Sequence, residues 1–336
     1  MKSQAGDTTQ KRLRILGEDE IEALYGRPRF TPEERIQHFS LSPTEKDALE
    51  QLRSIKSRIY WILQLGYFKA KQLFFTFDLH EVEEDARYIQ EQYFPDFQLT
   101  QFEITKVTWL KQRRLILELC QYRLCAAEER QQLKTKARQA ARVSSKPVYI
   151  FRELMQYLAE QRIVAPGYSL LQDTVGKALT HEQNRLITVV RTQLKSSGRE
   201  ALKGLLDDPQ GLYEITLLKR EPKDFSLGEI KREIQRGEQI RPLYHLAKQV
   251  LPHLDISNES IKYYASLVTY YSVFRLKQLE EQVVEVYLLC FVYHRYQRLH
   301  DNLINSLIHN VRRYGLFVVK GRKPTTGTGS KGAQTL

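Results

Sequence analysis

Phe151-Arg152-Glu153-Leu154-Met155-Gln156-Tyr157-Leu158, then Arg162-Ile163-Val164-Ala165-Pro166-Gly167-Tyr168, then Ser169-Leu170-Leu171-Gln172-Asp173: this stretch decides the fold. Phe151, Leu154, Met155 and Leu158 recur at helical spacing and form one apolar stripe. Ala165-Pro166-Gly167 ends that helix, because proline has no N–H to donate and glycine accepts turn conformations. Ser169 or Thr174 starts a second helix, which runs through Thr180 towards Lys195. The result is a helix-turn-helix-like unit with a turn longer than the strict motif has. Ser169, Gln172 and Asp173 in the first turn can offer donors and acceptors to base edges. Arg162, Lys177 and Arg185 can hold phosphates. A plain helical hairpin inside a bundle accounts for the same pattern.

Working outward, the chain reads as helices on both sides. Thr31-Pro32-Glu33-Glu34 and Ser42-Pro43-Thr44-Glu45 are capping boxes with proline at the first helical position. Leu49, Leu52, Ile55, Ile59 and Ile62 then follow a helical period. Glu103 to Arg123 predicts another helix, with Trp109 and Ile116 on its apolar side. Gln131 to Arg142 is polar and alanine-rich, a helical linker or a DNA-facing surface. Val143-Ser144-Ser145-Lys146-Pro147 breaks the pattern and marks a domain boundary. Leu212 to Lys219 is the single strand candidate, and Ser226 with Glu229 makes a third capping box. Ile261, Tyr264, Ala265, Val268 and Tyr271 open a long helix, and a second runs from about Glu281 to Arg313. The expected fold is mainly α. It comprises a first helical module over 12–142, a second over 146–255, long scaffold or dimerisation helices over 256–318, and a disordered tail over 319–336.

Composition narrows the function. The 336 residues carry 52 Lys+Arg against 40 Asp+Glu, a net charge of +12. Three cysteines exclude a disulfide scaffold and suit a reducing, cytoplasmic compartment. No apolar run is long enough for a bilayer span, and Met1 to Asp7 has no apolar core for a signal peptide. The charge is clustered. Between Lys106 and Arg142, ten cations face only Glu118, Glu128 and Glu129, a net +7. From Val311 onward there are six cations and no acid. Such clusters release counterions on a polyanion, the main source of nucleic-acid affinity.

The search for chemistry is negative. There is no Gly-rich phosphate loop, and His181-Glu182 lacks the zinc-protease spacing. Cys120, Cys125 and Cys290 do not have metal-ligand spacing. Asp207-Asp208-Pro209 reads as a helix-ending turn. No catalytic residue, cofactor or metal is assigned.

The run Gln161-Arg162-Ile163-Val164-Ala165-Pro166-Gly167-Tyr168-Ser169-Leu170-Leu171 resembles a signature of the Tn3-type replicative transposases. Arg58 to Tyr67, Thr105 to Arg123, Ile261 to Ala265, and Tyr287 to Phe291 with Arg295-Tyr296 resemble further segments of that family in order, over roughly residues 12–318. The resemblance implies a bacterial, nucleoid-associated protein whose helical N-terminal region binds terminal inverted repeats in double-stranded DNA. Its partners would be transposon ends and, beyond them, a second copy or an intact transposase. The family's Asp-Asp-Glu catalytic triad has no counterpart in this chain, so a DNA-binding piece without catalysis of its own is expected. One module would use Lys56, Arg58, Lys106, Lys111, Arg113 and Arg114. The other would use Arg162, Tyr168, Ser169, Gln172, Lys177 and Arg185. Lys134, Lys136, Arg138 and Arg142 would follow the phosphates between them. Competing readings are a helical interaction protein using Tyr263, Tyr264, Tyr270, Tyr271 and Phe274, an independent nuclease, and an RNA binder.

Overall fold

The computed structural model describes residues 13–98, 100, 103–207 and 213–321, with side chains described up to Arg313. The protein is mainly α. It divides into two compact units, Met1–Glu182 and Gln183–Leu336.

The first unit contains α1 (Glu18–Tyr25), α2 (Pro32–Phe39), α3 (Pro43–Glu50), α4 (Ile55–Lys71), a 3-10 turn (Leu79–Val82), α5 (Glu83–Tyr93) and α6 (Lys106–Cys120). These are followed by β1 (Arg123–Leu124), α7 (Ala127–Val143), α8 (Pro147–Glu160), β2 (Ile163–Val164) and the start of α9 (Tyr168–Gln193). The division between units falls inside α9. Both N-terminal capping boxes form: Thr31 Oγ1 accepts from the Glu34 N–H at 3.3 Å, and Glu34 accepts from the Thr31 N–H at 2.8 Å. Ser42 and Glu45 repeat the exchange at 3.3 and 2.8 Å.

The single periodic run expected after Ser42 is two helices. Ser54 caps α4 through the Ser57 N–H at 3.2 Å, and a serine that bonds its own backbone in this way competes with helix continuation. α4 is buried all round from Ile59 to Phe68, as a helix at the centre of a core is, and its buried Gln64 donates to the Phe75 carbonyl at 2.6 Å. Gly66 lets the ring of Phe39 lie against its backbone, where a Cβ would collide with it. A second cluster joins Ile15 and Leu16 to Leu133 and Ala137 of α7, Phe151 and Leu154 of α8, and Leu171 and Val175 of α9. The segment read as a helical linker or a DNA-facing surface therefore buries one side. The break at 143–147 is the corner between α7 and α8, which belong to this one cluster.

The second unit takes the end of α9 and adds α10 (Ser196–Gly204), α11 (Glu214–Leu218), α12 (Leu227–Leu254), α13 (Asn258–Tyr270), α14 (Val273–Lys277) and α15 (Glu281–Gly321). The strand candidate is corrected to α11: Ile215 and Leu218, three apart, are buried together as a helix requires. Leu212, Asp208 and Pro209 lie outside the described residues. Ser226 caps α12 through the Glu229 N–H at 3.4 Å, but the expected box is incomplete. The Ser226 N–H donates to Asp224 at 2.9 Å, and Glu229 pairs with Arg232 instead. α13 is shorter than expected, because Ser272 caps a new helix through the Arg275 N–H at 3.2 Å. α15 packs on α12 and α13 through Val286, Leu289, Cys290 and Val292. It reaches Gly321, past the expected end at Arg313, and the rest of the expected tail lies outside the described residues.

Candidate nucleic-acid interface

α7 turns its cations away from the cluster that holds it. Leu133, Ala137, Ala140 and Ala141 are buried, while Arg130, Lys134, Arg138 and Arg142 are exposed. These four are spaced i, i+4, so they form a row advancing roughly 6 Å of helix axis per step. Like charges at this spacing repel by about 0.2–0.5 kcal/mol per pair, which a polyanion alongside would relieve. Lys136 stands apart: its ammonium turns to Glu153 of α8 at 4.0 Å. Arg130 was outside the sequence-derived set, although its i, i+4 relation to Lys134 was there to find.

Two helix–strand–helix units lie side by side. α6–β1–α7 and α8–β2–α9 are joined by a parallel two-residue bridge, with Arg123 opposite Ile163 and Leu124 opposite Val164. Just before each strand stands a residue in left-handed conformation, Gln121 at φ 57° and Arg162 at φ 49°. Arg162 Nη1 donates to Gln121 Oε1 at 2.8 Å, and the Arg162 carbonyl accepts the Arg123 N–H at 3.0 Å. Hence Arg162 is exposed but ties the two turns together.

At the start of α9 the side chains serve different ends. Ser169, Asp173 and Lys177 lie along one exposed edge at i, i+4, i+8. Tyr168 and Gln172 are engaged by the N-terminal segment. The Tyr168 hydroxyl accepts the N–H groups of Ile15 at 3.3 Å and Leu16 at 3.0 Å, and Gln172 Nε2 donates to the Leu13 carbonyl at 3.1 Å. The Tyr168 ring also stands edge-on to Phe151 at 5.9 Å. Burial, reinforced by Tyr168, pushes the neighbouring Tyr25 phenol up to about 12. The expectation that Gln172 stands open for base edges is thus corrected by its bond to Leu13.

Of the remaining cations, Lys56, Lys106, Lys111 and Arg114 are exposed. Arg113 is withdrawn: its guanidinium lies over Phe74 at 4.7 Å and Trp109 at 5.2 Å, and burial lowers its pKa. Arg58 closes the loop before α4, donating to the Leu52 carbonyl at 2.8 Å. Arg185 belongs to the second unit, where it donates to the Leu254 carbonyl at 2.6 Å and satisfies the C-terminus of α12. Of the six residues expected for the second module, five fall in the first unit and Arg185 in the second.

No group of three or more His, Cys, Asp or Glu side chains suited to a metal ion occurs among the described residues. No helix among them is long and apolar enough to cross a membrane. Cys120 ends α6 and Cys125 follows β1, so the two do not share a helix; burial raises both thiol pKa values.

Residues 15–178 match the sequence profile of a domain of unknown function, DUF4158. The matched span begins at Ile15 and ends at Ala178, both of which are buried in the cluster that joins α7, α8 and α9. A comparison with curated proteins returned no match.

Proposed function

We propose that the chain binds double-stranded DNA at the terminal inverted repeats of a transposon, as the N-terminal part of a Tn3-type replicative transposase. The α7 row carries the reading: Arg130, Lys134, Arg138 and Arg142 are exposed at regular spacing, opposite a buried face. The resemblance at residues 161–171 supports it, as does the matched domain, which is found in N-terminal regions of Tn3-family transposases. In this reading the row tracks phosphates. Sequence preference comes from the exposed Ser169, Asp173 and Lys177 edge of α9 and from Lys106, Lys111 and Arg114 on α6. Selection from a randomised duplex library, followed by fluorescence anisotropy of the enriched and a scrambled duplex, tests it. The expected result is an enriched motif bound at least about a thousandfold more tightly than the scrambled duplex at physiological salt. Equal, steeply salt-dependent binding of both duplexes would refute end recognition and leave a non-specific polyanion binder.

A further inference from the structure

The chain enters its first unit beside α9. Ile15 and Leu16 bury their side chains in the cluster of α7, α8 and α9, and their N–H groups donate to the Tyr168 hydroxyl at 3.3 and 3.0 Å. Just before them, the Leu13 carbonyl accepts from Gln172 Nε2 at 3.1 Å. Residues 13–15 belong to no helix or strand. The backbone is thus pinned at residues 13, 15 and 16, while the Arg14 side chain between the pins is exposed. The pins come from Tyr168 and Gln172. On α9 that row lies one residue, about 100° of helix turn, from the exposed row of Ser169, Asp173 and Lys177. Positive charge is concentrated at this point. Lys11, Arg12 and Arg14 are three cations in four residues, and no acid occurs between Thr8 and Gly17. Asp173 is the single acid of the exposed row, against Lys177 and these three. Lys11 and Arg12 lie outside the described residues, and all three cations precede the matched domain, which begins at Ile15.

We propose that residues 11–14 are a basic arm that enters the minor groove of duplex DNA while the exposed edge of α9 faces the adjacent major groove. The inference rests on the DNA-binding reading above and adds to it a contact that reading lacks. A groove about 6 Å wide excludes a helix but admits a single non-helical strand. Arginine suits it, because the negative potential of the minor groove is strongest where A·T pairs narrow it. Other readers of DNA combine a helix in one groove with an arm in the next. The pins fix the point at which the arm leaves α9, so few residues are ordered on binding and the entropic cost is small. Gln172 then serves as a positioning residue: it holds the Leu13 carbonyl, and with it Arg14, instead of touching a base.

The test is fluorescence anisotropy of the full chain on the duplex selected above, and on the same duplex with 2,6-diaminopurine in place of every adenine. That base adds an amino group in the minor groove and leaves the major-groove edge of the pair as it was. The parent should bind the substituted duplex about tenfold more weakly. Arg14→Ala should bind the unmodified duplex about tenfold more weakly than the parent and be indifferent to the substitution. Gln172→Ala should move both readouts in the same direction. Combined with Arg14→Ala it should add little, because both act through one arm, whereas a base contact by Gln172 would add its full loss. Neither side chain is buried, so helical circular dichroism should stay unchanged. Arg14→Ala binding like the parent, a parent insensitive to diaminopurine, or an equal penalty in parent and variant would each overturn the arm. A parent that prefers the selected duplex while Arg14→Ala changes nothing loses the arm and keeps end recognition. A parent that binds all duplexes alike loses end recognition, and the Arg14 and diaminopurine readouts still decide the arm.

Discussion

Replacing Lys134 and Arg138 together by alanine probes the α7 row where it is most exposed. Both side chains stand clear of the cluster that buries Leu133 and Ala137, so the fold should be unharmed. Removing the like-charge spacing should even stabilise the helix by a few tenths of a kcal/mol. If each cation neutralises one phosphate, the slope of log K against log salt should become shallower by about 1.8. Between 50 and 200 mM salt that difference multiplies to roughly twelvefold, so the affinity loss should be about twelve times larger at the lower salt. Preference for the selected duplex over a scrambled one should not change, because phosphates carry no sequence. Lys136→Ala is the internal control: its ammonium faces Glu153, and its slope should match the parent. Anisotropy titrations at four salt concentrations decide the matter. An unchanged slope in the double variant, or an equal change in the control, would refute the assignment of the row to phosphates.

Tyr168→Phe removes the acceptor of the Ile15 and Leu16 N–H groups. It should cost about 1–3 kcal/mol in urea unfolding and hasten tryptic cleavage after Arg14. Gly66→Ala should destabilise the first unit by about 1–3 kcal/mol, because its Cβ meets the Phe39 ring; an unchanged urea midpoint would contradict the close approach. Burial depresses the pKa of His38 and of His294 below the usual histidine value. For a depressed group, the unfolded state takes up the proton first. Stability should therefore be intact above about pH 6.5 and fall as pH drops below it towards the folded values. Urea midpoints at neutral and mildly acidic pH should differ accordingly, and His294→Gln should flatten the part contributed by the second unit.

What could be read from the sequence was what depends on near neighbours. The capping boxes at Thr31 and Ser42 are complete because every bond in them spans three residues. The α8 stripe was legible for the same reason, but the expected stop was misplaced: α8 ends at Glu160, and the left-handed Arg162 leads into β2 before Pro166-Gly167 is reached. Where local signals competed, the outcome was harder to read. Leu52 and Ile55 keep a helical period across the break that Ser54 makes, and Tyr271 does so across the break made by Ser272. In each case a serine hydroxyl capping the next helix outweighs a pattern of apolar side chains that continues without it.

The fate of the proposed base-reading side chains was illegible for a different reason. Tyr168 and Gln172 meet partners about 150 residues away, at Ile15, Leu16 and Leu13. Nothing near α9 announces that a distant segment will take up those polar atoms. Arg162 and Gln121 are likewise joined across 41 residues by a bridge only two residues long on each side. A strand that short leaves no alternating pattern to detect. The α7 row depends on one helix's periodicity alone, so Lys134, Arg138 and Arg142 were legible before any tertiary contact was known, and Arg130 was missed although the same period holds it. Of the cations expected along this segment, Lys134, Arg138 and Arg142 share the exposed row, and Lys136, off that period, turns to Glu153. Among those assigned a role from the turn motif, Arg162, Tyr168 and Gln172 are engaged across long separations, while Ser169 and Lys177 stay exposed because no distant segment among the described residues reaches their edge of α9.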